Sequence, residues 1–573
     1  MSTDESSDRI LPYWADPEVP EQSLDAQGVS RRGLLRGAGL FGAGFLATSA
    51  LGAGTASAAE DDSDGVDTLS AEERHRPSPP DNGRSGRYAY LVGDHHIHSI
   101  YSHDAKYRLL QQTNHAAQYG LDWMVATEHS NFGHANAAGA SRENQEIKAV
   151  RAANPRLLVF QGLEWYIPSA EHATVFTAPG PHEVDLLTRF ELAHDSKLNK
   201  LDDPTAANEQ RAIAAIKWLA EQRRNGTAPD VLALANHPSR LGIDSPHEIR
   251  AWRDAAPEIF IGMEGAPGSQ GAAIPGWGGP NGIRGEYQNS PSDRSWPGFP
   301  LEAYRTYGGF DWMTATVGGL WDSMLAEGKP FWVTSNSDNH RTVFDTWHDG
   351  DYPPGTDFDS LGRKPDPYDS GTPQPGSDFW PGQFSRTHVG VTRFGYREVM
   401  AGLRAGRVWV DHGQLIDGIE VRLRRDDFDP CGVTLGERLR VRRGHRVTLE
   451  VRITPSTRRN AHGMLPKLAT LDVIKGAVTG PVADRDTWRA PDTKVVQHFD
   501  VSDRRGTFTL RIPLGRVDRS FYVRLRGSDG NHNGPGLLGA AVDPHGPQTH
   551  TPGSGDPWID LWAYTNPIFV DAV

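Results

Sequence analysis

Gly93-Asp94-His95-His96-Ile97-His98 closes the apolar run Tyr88–Val92, and the fold is read outward from it. Side chains alternate along a strand, so His96 and His98 point to one face and can grip one cation together. A single His-x-His pair is weak, but Asp104 lies just downstream and four further clusters follow at the ends of apolar runs. His129 follows Trp123–Ala126, Glu164 and then His172 flank the next two runs, His237 follows Val231–Leu234, and Asp338-Asn339-His340 follows Phe331–Thr334. Imidazole mixed with carboxylate suits a divalent cation such as zinc, manganese or iron. Donors at the ends of many strands describe a metal site on a barrel.

Between residues 87 and 414 those runs, with Leu157–Phe160, Thr174–Phe176 and Ile259–Met263, alternate with helix-compatible patterns at Leu109–Gly120, Glu209–Arg224, Pro246–Ala255, Leu320–Glu327 and Tyr396–Ala405. The alternation predicts an α/β protein of parallel strands and crossover helices: a distorted seven-stranded (β/α)7 TIM-like barrel. An open doubly wound sheet competes, but it places its ligands mainly at one switch point. Two stretches, Gly265–Tyr304 and Thr342–Thr387, break the rhythm and are expected to be covers over the site or surface insertions. From 415 to 573, short alternating runs such as Ile419–Leu423, Val447–Ile453 and Phe521–Leu525 predict a small antiparallel β-sandwich accessory domain. It holds no catalytic cluster of its own.

A chain of 573 residues exceeds one core of usual size. Its net charge of −14 argues against nucleic acid as the main partner, although local arginines can still steer an anionic substrate. The lone Cys431 rules out an intrachain disulfide. Ser30-Arg31-Arg32-Gly33-Leu34-Leu35, a weakly apolar stretch to Leu51 and Ala56-Ser57-Ala58 read as a twin-arginine (Tat) signal peptide over 1–58. The expectation is export by the Tat machinery to the cell envelope or beyond, with no stable membrane anchor after cleavage. Residues 59–86 read as a flexible acidic and Pro-rich leader.

Asp94-x-His96-x-His98 with Ser102-x-Asp104, Thr127-Glu128-His129, Gly162-x-Glu164, His172, Asn236-His237-Pro238 and Ser337-Asp338-x-His340 together resemble the successive motifs of the PHP family, named for polymerase and histidinol phosphatase. The resemblance spans 87–414 and implies a distorted barrel with two or three divalent metals that hydrolyses phosphoesters. It implies one metal on His96, His98, Glu164 and Asp338, a second on bridging Glu164 with His172 and His237, and a third on Asp104, His129 and His340. Glu128 departs from the aspartate more usual there. Leu320-Trp321-Asp322 through Gly328, Ala401–Arg407 and Tyr564–Ile568 resemble a secreted branch with an added β domain, which includes a carbamate-hydrolysing enzyme similar to carbaryl hydrolase.

Such a centre implies an attacking hydroxide held between cations, with Glu164 and Asp338 acting through that bridging water. Arg240, three residues past His237, is placed to clamp a phosphate, and His134 to protonate a leaving group; a solvated arginine and a plain surface histidine are the simpler alternatives. The leading expectation is an exported phosphoesterase acting on a small or polymeric, anionic ester. A carboxylic or carbamic ester hydrolase on the same metals is the second, and an inactive metal-bound ligand-binding module the third. An amidohydrolase also opens with His-x-His, but it normally has a lysine where Glu164 stands.

Overall fold

The computed structural model describes residues 87–102, 105, 107–130, 134, 139–266, 268, 290–340, 379–426, 432–549 and 557–573. The expected signal and leader, Asp104, Cys431 and most of the two long insertions lie outside those residues. Strands β1 (Ala89–Asp94), β2 (Trp123–His129), β3 (Leu158–Tyr166), β4 (His172–Thr177), β5 (Val231–Ala235) and β6 (Phe260–Ala266) come first. A short hairpin, β7 (Thr306–Tyr307) and β8 (Phe310–Asp311), precedes β9 (Trp332–Ser335). Helices α1 (Leu109–Gln118), α2 (Gly139–Ala153), α3 (Glu183–His194), α4 (Ala206–Arg224), α5 (Pro246–Ala255) and α6 (Leu320–Ala326) lie between the strands. Local chemistry fixes their ends: α5 starts with Pro246 in its first turn and a Ser245–Glu248 capping box.

The strands run β1-β2-β3-β4-β5-β6-β9 across one sheet. The pairs β1–β2, β2–β3, β5–β6 and β6–β9 are parallel. β4 is antiparallel to both β3 and β5, which corrects the expectation of parallel strands throughout. Residues 167–171 are too few for a crossover, which takes about a dozen, so the chain turns straight back. Gly93 is required where β1 meets β2, because a Cβ there would lie 2.0 Å from the Trp123 ring.

Among the described residues β9 meets the continuation of β1 in a single parallel bridge, Ile97 to Asn339, and not in a full ladder. Side chains serve the backbone of β9 beyond β6. The amide of Asn566 accepts from Val333 N (2.9 Å) and donates to Val333 O (3.3 Å). Thr387 Oγ1 accepts from Ser335 N (2.8 Å) and donates to Ser335 O (2.6 Å). Strand groups that would otherwise be buried without partners are thereby satisfied.

On the other side of β1 the sheet continues antiparallel through β10 (Ser385–Val391) and, past helix α7 (Tyr396–Arg404), β11 (Val408–His412). Then follow β12 (Ile416–Arg425), β13 (Arg438–Val441), β14 (Arg446–Pro455), β15 (Thr470–Ala477), β16 (Lys494–Asp500), β17 (Phe508–Arg516) and β18 (Phe521–Ser528). A two-residue pair, β19 (Asn533–Gly534) and β20 (Gly546–Pro547), leads to β21 (Trp562–Thr565) and β22 (Ile568–Ala572). The main sheet runs on from β11 through β21, β18, β22 and β13, while β12, β14 and β17 form a separate sheet. Alternate residues of both, among them Val421, Leu449, Val473, Val523 and Val570, share one apolar core. Two facing β layers therefore exist in 415–573, but one is an extension of the sheet that carries the first half.

Candidate metal centre

Each of the seven strands β1 to β6 and β9 delivers a polar side chain to one edge of the sheet. His96 and His98 follow β1, His129 ends β2, Glu164 lies in β3, His237 follows β5, Glu264 lies in β6, and Asp338 and His340 follow β9. The parallel strands contribute from near their C-terminal ends. β4 runs the other way, so its first residue, His172, reaches the same edge and pairs with Tyr166 across the hairpin.

Three groups of donor atoms result, all on buried residues: His96, His98 and Asp338; Glu164, His172 and His237; and His98, His129 and His340. The structure thus brings together eight of the nine expected ligands, and the ninth, Asp104, lies outside the described residues. In the first group His96 Nε2 is 3.0 Å from His98 Nε2 and 3.1 Å from Asp338 Oδ1, with His98 Nε2 3.2 Å from that oxygen. Glu164 approaches to 3.2 Å of His96 Nε2 and 3.4 Å of His98 Nε2. A tetrahedron with metal–ligand bonds of 2.0–2.1 Å has edges of about 3.3–3.4 Å, close to this spacing.

The far side of each ring fixes what these nitrogens can do. Glu264 Oε1 stands 2.6 Å from His96 Nδ1. Ser102 Oγ donates to Glu128 Oε2 (2.7 Å) and accepts from His129 N (3.0 Å), so toward His98 Nδ1 at 2.8 Å it is an acceptor. His340 Nδ1 donates to the carbonyl of Asp338 (3.0 Å) and His129 Nδ1 faces Glu164 Oε2 (2.8 Å). With the outer nitrogens protonated, His96 and His98 turn lone pairs toward each other, as do His129 and His340 across 3.4 Å. Rings and carboxylates converging at these distances need positive charge between them, a proton or a metal cation, and outer hydrogen bonds of this kind are what orient metal-ligating histidines.

Glu164 is the shared element. Its oxygens also lie 2.9 Å from His172 Nδ1 and 3.1 Å from His237 Nε2, and Asn236 Nδ2 donates to Oε1 (3.2 Å). Burial works to raise its carboxyl, but His172, His96 and His129 hold it well below the usual range. Asp338 is likewise held below that range, because His96 and His340 outweigh burial. Burial works to lower His96, but Asp338, Glu164 and Glu264 hold it well above an ordinary histidine. The cluster favours positive charge at its centre. Two of its residues are held in the left-handed region unusual for non-glycine residues, His237 at φ 28° and Asp338 at φ 45°.

His95, immediately before His96, turns the other way and bonds Thr334 Oγ1 (2.7 Å), as alternation requires. Asp94 accepts from His96 N and Ser337 N (both 3.1 Å), tying the first motif to the last. Burial pushes Asp94 and Glu264 up to about 7. Glu128 is no donor to the centre; Ser99 and Ser102 both donate to it, and it anchors the ring of His98 through Ser102.

Arg240 reaches Glu171 Oε2 (2.9 Å), and its side chain is 26% exposed beside the His237 loop. His134 is neither a surface histidine nor part of a donor group. It is buried between Glu191 (2.9 Å from Nδ1) and Glu143 (3.5 Å from Nε2), which hold it well above its usual range although burial opposes them. The sequence reading missed Glu264. Its signal was present, since it closes the run Ile259–Met263 as the other donors close theirs.

No family model matches this chain, and no curated protein does. Among solved structures it is similar to a two-domain protein from Bacteroides vulgatus described as containing a predicted PHP-like metal-dependent phosphoesterase, at 13% identity and a TM-score of 0.31, covering 82% of this chain and 96% of that one. It is also similar to a candidate metal-dependent phosphoesterase from Bifidobacterium adolescentis, at 12% identity and a TM-score of 0.17, covering 30% of this chain and 76% of that one. At scores of this size neither likeness fixes a fold or a reaction.

Proposed function

We propose that this chain is a metal-dependent hydrolase of phosphate esters, of the PHP type that its motifs resemble. The observation that carries this reading is the convergence of the Nε2 atoms of His96 and His98 with the carboxylates of Glu164 and Asp338 within 3.4 Å, while Glu264 and Ser102 meet the two Nδ1 atoms from outside. These four would hold one divalent cation, Glu164 with His172 and His237 a second, and His129 and His340 a third together with His98 or Asp104. Bound there, such cations supply Lewis acidity and lower the pKa of water to roughly 7. The protein's own part is positional. Asn236 orients Glu164, Ser102 and Glu128 orient His98, and Glu171 holds Arg240, whose side chain is 26% exposed. The planar fork of that guanidinium suits two oxygens of a phosphate.

Residues that resemble the carbamate-hydrolysing branch support packing and leave the substrate open. Asp322 pairs with Arg524 (2.8 Å) and Asn566 serves the backbone of Val333, both far from the donor groups in chemistry. The test is a comparison of kcat/KM by the metal-loaded chain on a phosphomonoester, a phosphodiester, an aryl carboxylic ester and an aryl carbamate. A phosphate ester preferred by tenfold or more supports the proposal, and preference for an aryl ester or carbamate overturns the substrate class. We also propose export through the twin-arginine signal over 1–58. N-terminal sequencing of secreted protein should begin at Ala59, and retention in the cytoplasm would refute export. No helix among the described residues is long and apolar enough to cross a membrane.

A further inference from the structure

We infer that Glu264 is a positioning residue whose two oxygens lock the ring of His96 and the backbone of His237 at once, coupling the two donor groups to which those histidines belong. Glu264 is fully buried on β6 and is itself in none of the groups. Oε1 lies 2.6 Å from His96 Nδ1 and Oε2 accepts from His237 N at 2.5 Å. Oε2 is committed to the His237 N–H, and when Glu264 is ionised its Oε1 can only accept from His96 Nδ1, which leaves Nε2 as the ring atom that faces His98 and Asp338. His237 has φ 28°, and the bond from its N–H holds this backbone while Nε2 of its ring stands 3.1 Å from Glu164. A carboxylate serving only the core has no reason to spend both oxygens on ligand residues from two other strands. The inference rests on the metal-centre reading proposed above.

Glutamine is the discriminating replacement, because its amide has one acceptor where the carboxylate has two. In E264Q an NH2 group must face either His96 Nδ1, which forces the proton onto Nε2, or His237 N–H, which sets donor against donor. E264D keeps the charge but is one methylene short of both contacts. The measurement is zinc binding by the full chain after chelator stripping, titrated against a chromophoric chelator, with the melting temperature of the stripped chain alongside. The expected result is loss of two zinc equivalents, or affinity at both positions weakened at least about tenfold, in E264Q, a smaller loss in E264D and a melting temperature within a few degrees of wild type. Wild-type stoichiometry and affinity in E264Q, or loss of a single equivalent, would overturn the inference while leaving the metal centre intact. A wild-type chain that binds no zinc would overturn the centre itself. Nitrogen-15 NMR of histidine-labelled, zinc-loaded wild type reads the tautomer with no variant: Nδ1–H at His96 is expected, and its absence overturns the lock.

Discussion

Glu164 has five imidazoles within 3.4 Å, so no change to it is confined to one donor group. Glu164→Gln should lower bound metal and reduce kcat/KM by more than about 100-fold, measured by elemental analysis and initial rates; full activity with full metal would contradict the bridging role. Ser102→Ala acts one bond further out. It frees the ring of His98 and should weaken metal binding by about 10–100-fold, which a chelator competition reads directly. Arg240→Met should raise KM for a phosphate ester with kcat nearly unchanged, because it removes binding and not chemistry. The donors were legible in the sequence because each closes or opens an apolar run. Glu264 closes the run Ile259–Met263 in the same way, but its role does not follow from that position alone, because its partners His96 and His237 come from distant strands. His134 was misjudged for the opposite reason: a polar loop looks solvated until α2 and α3 supply Glu143 and Glu191.

At the scale of elements, the strands and helices that the periodicity predicts between 89 and 335 are present, and their caps explain where several of them begin. Direction was harder to read. Nothing in Thr174–Phe176 marks it as antiparallel; only the shortness of the 167–171 link does so, and that depends on how far β3 and β4 extend. β10 and β11 were missed because the first follows a long Gly/Pro-rich stretch and the second is only Val408–His412. Helix α6 is fastened to β18 by a buried pair in which Asp322 accepts from Arg524 Nε (2.9 Å) and Nη2 (2.8 Å), with Tyr522 OH 3.0 Å away. Removing one partner leaves a buried charge unpaired. Asp322→Ala should therefore cost about 3–5 kcal/mol in denaturant unfolding, whereas replacing both partners with apolar residues of similar volume should cost far less. Equal losses in the single and double variants would show that the pair's charge is irrelevant to this joint.

For the whole molecule, the described residues belong to a single compact unit, and one sheet runs from the donor-bearing strands into β21, β18 and β22. Composition and turn spacing reveal a change of character near residue 415, but continuity of the sheet across it is a long-range property that no local window contains. Its consequence is that the fragment 1–414 loses the β21 partner of β11 and the Asn566 amide that serves β9. We expect that fragment to be insoluble or molten, and the full chain to unfold in one calorimetric transition; a soluble, metal-binding 1–414 fragment would refute this. The donor groups sit at one edge of that shared sheet, and the proposed hydrolysis requires cations to occupy them. An anomalous difference map from crystals of the zinc-loaded full chain tests this most directly. It should show a peak about 2.0–2.1 Å from His96 Nε2 and His98 Nε2 and a second beside Glu164, His172 and His237, and a map with no peak among these side chains would contradict the account.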